Sequence, residues 1–176
     1  MRIPIRQTGS DDAVPPGLAA VQLHPVPSKQ AFVIKVVTPK APTFDIDHVP
    51  CDIVLVIDVS TSMDEDAPVP GDTERTSLSV MDLTKHAAIT ILETLNDKDR
   101  LGIVTFGTRA TVVQSLTYMD SETKHATRQK INKLHPNGST NLWHGIQNGI
   151  RVFDESLDNG NVRAMMVLTD GMPNHM

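Results

Sequence analysis

An aspartate and two serines stand at alternate positions in the segment DVSTS: Asp58, Ser60 and Ser62. In an extended or turning backbone, alternate side chains point the same way, so this spacing aims one carboxylate and two hydroxyls at a common point. All three are hard oxygen donors with few carboxylates among them. Such a set suits Mg²⁺, which takes an octahedral oxygen shell and often retains water, better than it suits Zn²⁺. Mn²⁺ and Ca²⁺ are the alternative occupants. Two further segments carry oxygens: NGSTN, Asn137 to Asn141, at the start of a predicted helix, and TDG, Thr169 to Gly171, which places Asp170 at the end of an apolar run. Each residue also has a plainer role. Asp58 and Asp170 are able to close turns, either serine is able to cap one, and Ser139, Thr140 or Asn141 each suits a helix cap.

The elements that would position these groups follow from periodicity. DIVLVID, Asp52 to Asp58, is a nearly unbroken apolar run ending in a carboxylate, as expected of a strand buried on both faces. Val80, Met81, Leu83, Ala87, Ala88, Ile91, Leu92 and Leu95 recur at helical spacing, with Ser77 or Ser79 as the cap. LGIVTFG and ATVVQSL predict two strands joined by a turn at Thr108 and Arg109, which reads as a hairpin. Asp120 or Ser121 opens a polar helix through Leu134, Asn141 opens another through about Phe153, and AMMVLTD, Ala164 to Asp170, repeats the buried-strand pattern. Strands alternating with helices imply an α/β sheet. In such a sheet, ligands bind beyond the carboxyl ends of the strands, where Asp58 and Asp170 meet if their strands are neighbours.

With these elements in order, DVSTSM, NGSTNL and LTDG resemble the three metal-site segments of the von Willebrand factor A fold. The resemblance spans about Val49 to Met176. It implies a Rossmann-like open, mostly parallel sheet flanked by helices. It also implies a metal-ion-dependent adhesion site, with Asp58, Ser60 and Ser62 in the first loop, Thr140 in the second and Asp170 in the third. In that family an acidic side chain of a protein partner commonly completes the metal shell. The expectation is therefore a Mg²⁺-dependent protein-interaction module and not an enzyme. A metal-dependent phosphotransferase or hydrolase is the enzymatic alternative, and a metal-free scaffold the structural one. An aspartyl-phosphate enzyme would often carry a second aspartate where Ser60 stands.

The family fold normally continues with further strands and helices, so residues 49–176 read as an incomplete domain with the last strands and helices missing. Its AMMVLTD strand would be an edge open to self-association. Residues 1–29, with Pro15, Pro16, Pro25 and Pro27, read as disordered or linker, and residues 30–48 as a flanking strand, AFVIKVV, followed by a proline-bearing linker.

Composition narrows the classes. A net charge of −5 gives no general basic field for nucleic acid or anionic membranes, and no run approaches the length of a membrane span. One cysteine, Cys51, excludes an internal disulfide, and the opening residues lack the apolar core of a signal peptide, which favours an intracellular, cytoplasmic setting. None of the seven histidines has zinc-motif spacing, though His135 and His175 lie near the candidate loops. Trp143 reads as a packing anchor and Cys51 as a core thiol. The loop Met63 to Ser77 carries Asp64, Glu65, Asp66, Asp72 and Glu74 and reads as a solvated acidic surface.

Overall fold

The computed structural model describes residues 5–7, 20–26, 31–37, 48–67 and 78–171. The chain divides into two compact units, Met1–His48 and Val49–Met176. In the first, β1 (Ile5–Gln7) runs parallel to β2 (Ala20–Val26), which pairs antiparallel with β3 (Ala31–Val37). Residues 1–29 are therefore not linker throughout. The prolines mislead because Pro25 lies beyond the stretch Val21 to Leu23 where β1 pairs, so its missing N–H faces only one neighbouring strand. Val21 lies opposite Val36 and Leu23 opposite Ile34, and such apolar cross-strand pairs stabilise a ribbon despite its prolines.

The second unit holds a four-stranded sheet in the order β6–β5–β4–β7, formed by β4 (Cys51–Asp58), β5 (Arg100–Phe106), β6 (Ala110–Tyr118) and β7 (Val162–Leu168). β5 and β7 flank β4 in parallel, while β6 returns antiparallel along β5 as the expected hairpin. Three helices complete the unit: α1 (Val80–Thr94), α2 (Ser121–Asn132) and α3 (Leu142–Asp154). Each starts on a polar cap. Ser79 and Asp82 form a reciprocal capping box on α1, Asp120 accepts from the Thr123 N–H on α2, and Asn141 accepts from the His144 N–H on α3. A mostly parallel sheet with helices against it is an α/β, Rossmann-like fold.

Alternation along β4 sorts the core into two layers. Ile53, Leu55 and Ile57 pack with Ala88 and Leu92 of α1 and Ile131 of α2, whereas Val54 and Val56 pack with Val104, Phe106 and Val152 of α3. Val54 to Ile57 are fully buried, and burial of each such side chain is worth roughly 1.5–3 kcal/mol before entropy is charged. This explains why the run has no polar alternation: neither face meets water. α3 lies especially close to the sheet. A Cβ at Gly145 would come within 2.7 Å of the Phe106 ring, and one at Gly149 within 2.8 Å of Val56. Leu83, counted in the apolar pattern of α1, is instead exposed. Among the described residues β7 pairs with β4 alone, and Val162, Met166 and Val167 on it are exposed.

Candidate metal centre

β4 and β7 are neighbours, with Ile57 beside Leu168, so the residues that follow them emerge together at the carboxyl end of the sheet. Asp58 is the last residue of β4 and is fully buried. Its Oδ1 accepts from the Ser60 N–H at 2.8 Å, which turns the chain sharply after the strand. Its Oδ2 accepts from the Thr169 hydroxyl at 2.8 Å. Ser60 is also fully buried, and its hydroxyl lies 3.1 Å from that of Ser62, which opens a short 3₁₀ turn over Thr61–Asp64. Hydrogen bonds thus link Asp58 to the Ser60 backbone and the Ser60 hydroxyl to that of Ser62.

The second loop is bound to the first through its backbone. The Thr61 N–H and hydroxyl both donate to Gly138 O at 2.9 Å, and the Asn137 N–H donates to Val59 O at 2.5 Å. Gly138 has a positive φ of 84°, and a Cβ there would fall 2.5 Å from the Thr108 hydroxyl, so glycine is required on both counts. Asn141 N–H reaches Gly107 O at 2.9 Å, and its side chain caps α3. Of the candidates at this helix start, Asn141 thus takes the capping role, while Thr140 is 1% exposed inside the loop.

The third loop joins through Thr169. Its hydroxyl donates to Asp58 and accepts from Gly171 N–H at 3.2 Å, which places half-buried Asp170 in the turn between them. Thr169 is the site residue that motif reading missed, although it stands beside Asp170 in LTDG. The neighbours Gly138 and Thr169 make the visible links by which the loops of Thr140 and Asp170 are held to the Asp58 loop. His135 sits exposed just after α2, with its Nδ1 3.1 Å from Lys133 O. His175 lies outside the described residues, as do Asp72, Glu74 and Ser77.

The donor chemistry fits a hard divalent cation. Each Asp58 oxygen receives one neutral donor, and no ion pair among the described residues involves Asp58. A carboxylate has about four lone-pair positions, so acceptor capacity remains on this buried side chain. Among the described residues, no three His, Cys, Asp or Glu side chains gather as a metal group. A centre here would therefore be built of hydroxyls with at most two carboxylates. Asp58, Ser60 and Ser62, with Thr140 and Asp170 from the tethered loops, are the residues that would hold the ion. The acidic loop leaves the centre through exposed Asp64, Glu65 and Asp66 and is pinned by Ala67 N–H to Leu78 O at 2.9 Å.

One residue departs from expectation and a second meets it in part. Trp143 is 65% exposed and is no packing anchor: the buried face of α3 is Gly145, Asn148, Gly149 and Val152, and residue 143 lies off that stripe. Cys51 is half-buried at the edge of the core, with its thiol 3.3 Å from Val49 O.

No helix among the described residues is long and apolar enough to cross a membrane. No curated protein sequence matches the chain. Solved structures do match. The PilB minor pilin from Streptococcus sanguinis is 19% identical over 89% of this chain and 48% of its own, with a TM-score of 0.60. A von Willebrand factor type A protein from Catenulispora acidiphila is 21% identical over 76% and 28%, with a TM-score of 0.55. The vWF domain of the type V pili tip protein Mfa5 from Porphyromonas gingivalis is 19% identical over 71% and 39%, with a TM-score of 0.53. The chain thus spans about half or less of the length of these structures. At such identities the likeness is one of fold. The model of the von Willebrand factor type A domain matches residues 53–172, well over half of the chain, and the chain belongs to that family.

Proposed function

We propose that this chain is a Mg²⁺-dependent protein-interaction module whose metal is held by Asp58, Ser60, Ser62, Thr140 and Asp170. The observation that carries the reading is the burial of Asp58, whose donors among the described residues are neutral: a cation at this point would supply a counter-charge. Family membership supports it, and the three segments resemble the metal-site segments of that family. Two carboxylates and neutral hydroxyls leave the bound ion electrophilic, so it is able to accept an Asp or Glu from a partner protein. The reading assigns no catalytic residue and therefore no reaction. An intracellular, cytoplasmic setting belongs to the same proposal, supported by the single cysteine.

The test is isothermal calorimetry of the intact chain with MgCl₂, alongside the Asp58→Ala variant checked for folding by circular dichroism. Wild type is expected to bind Mg²⁺ and the folded variant to lose it. Equal Mg²⁺ affinity in both would refute the assignment, and absence of binding to folded wild type would favour a metal-free scaffold.

A further inference from the structure

We infer that Trp143 and Arg109 form a docking platform beside the candidate metal centre, fitted to a protein segment in which a large apolar side chain adjoins the carboxylate that meets the metal. This rests on the metal-dependent reading above and adds to it the choice of partner. Trp143 is the chain's one tryptophan, and it is 65% exposed on the first turn of α3, two residues after the Asn141 cap. Arg109 is exposed on the β5–β6 turn. The Ala110 N–H donates to His144 Nδ1 at 3.1 Å, so the segments bearing residues 109 and 143 are bonded to each other. The same two segments brace the second loop of the centre: Asn141 N–H bonds Gly107 O, and Ser139 N–H bonds the Thr108 hydroxyl at 3.1 Å. The platform is therefore continuous with the loop that carries Thr140.

Charge assigns the direction of approach. The exposed acids Asp64, Glu65 and Asp66 lead away from the centre toward α1, which covers the Leu55 face of the sheet. Trp143 and Arg109 lie at the end of the opposite layer, where α3 covers Val56 and Phe106. A partner carboxylate is repelled on the first side and attracted by the guanidinium on the second. Its neighbouring side chain then falls toward the indole. An aromatic or large aliphatic group there removes apolar surface from water on both partners, and tryptophan and arginine are the residue types that carry most binding energy at interfaces.

The probes are three fluorescein-labelled peptides, Gly-Phe-Asp-Gly, Gly-Ala-Asp-Gly and Gly-Phe-Asn-Gly, titrated with the intact chain by anisotropy in Mg²⁺ and in EDTA. An unlabelled Phe-Asp peptide is titrated while the Trp143 emission is followed. In Mg²⁺ the Phe-Asp peptide is expected to bind about tenfold tighter than Ala-Asp, with a blue shift of the tryptophan emission and reduced quenching by acrylamide. Trp143→Ala should erase the preference, Trp143→Phe should retain most of it, and Arg109→Ala should weaken both acidic peptides. Equal binding of Phe-Asp and Ala-Asp overturns the platform, as does an unchanged preference in a folded Trp143→Ala variant or no Phe-Asp binding at millimolar concentration. Failure of the metal reading looks different: Phe-Asp would bind equally in Mg²⁺ and EDTA, and equally with Asn in place of Asp. The Phe-over-Ala preference would then still report on Trp143.

Discussion

Strand β4 carries an aspartate at each end, Asp52 and Asp58, both fully buried and both at even positions on the face covered by α3. They stand about 20 Å apart along the strand. Asp52 has its counter-charge built in. Arg100, directly across the ladder on β5, donates from Nε to Oδ1 at 2.8 Å and from a terminal nitrogen to Oδ2 at 2.5 Å. Asn161 adds a third donor at 2.9 Å, and the guanidinium also reaches Leu157 O and lies over the Tyr118 ring. Asp58 receives a backbone N–H and a hydroxyl, neither of them charged. Two carboxylates of equal burial on one strand thus meet opposite electrostatic fates. The end completed by an ion pair from within the chain reads as structure, and the end with spare acceptor capacity reads as a place for an ion from solution.

The sharpest way to break this comparison is to remove each counter-charge in turn. Arg100→Ala leaves Asp52 buried and unpaired, and unfolding in urea should show a loss of about 3–5 kcal/mol. The double variant Asp52→Leu with Arg100→Met should regain most of it, because a buried ion pair exchanges for apolar packing at little net cost. A loss below about 1 kcal/mol in the single variant would show that Asp52 does not depend on its partner. At the other end the counter-charge is added or withheld through the buffer. Mg²⁺ at a hundredfold excess over its dissociation constant should stabilise wild type by about 2.7 kcal/mol. Asp58→Asn should abolish that increment while leaving stability in EDTA within about 1 kcal/mol of wild type. An increment that survives Asp58→Asn would place the ion elsewhere.

What separates the two ends also separates what the sequence discloses. Asp58, Ser60 and Ser62 are legible because their geometry is local: alternate positions in one turn, at the end of a run apolar enough to announce a buried strand. The order of strands and helices was legible for the same reason, since each element's period is written within it. The pairing of Asp52 with Arg100 spans 48 residues and that of Asp58 with Thr169 spans 111, and both depend on strand register, which no local pattern encodes. β2 was obscured by Pro25, whose harm depends on whether a second strand lies beside it. Residue type alone misleads at Trp143: the structure buries Gly145, Asn148, Gly149 and Val152 of α3 and leaves position 143 off that face.

The face shared by both aspartates depends on how closely α3 approaches it, and this gives a smaller effect. Gly145→Ala sets a methyl 2.7 Å from the Phe106 ring near the Asp58 end of the sheet, so α3 must shift. Equilibrium unfolding should register about 1–3 kcal/mol lost. An unchanged midpoint would mean that the helix rides loosely over the centre.

The smallest effect is in acid, and it tests the Asp52 end. Burial pushes the Asp52 carboxyl up, but the bonds from Arg100 and Asn161 and the nearby positive charges outweigh it and hold the group below the ordinary value of 3.8. A carboxylate whose folded value is lowered contributes stability that is present above the unfolded value and is lost as pH falls through the folded one. Wild type in EDTA should therefore weaken below about pH 4, part of it from Asp82 and Asp120, which their capping bonds also hold low. Replacing the ion pair by Asp52→Leu with Arg100→Met removes the Asp52 share, so its urea midpoint should fall less steeply between about pH 4 and pH 2. Parallel acid limbs in the two proteins would show that Asp52 takes up no more protons on unfolding than in the folded state, and would remove the electrostatic difference between the two ends of β4.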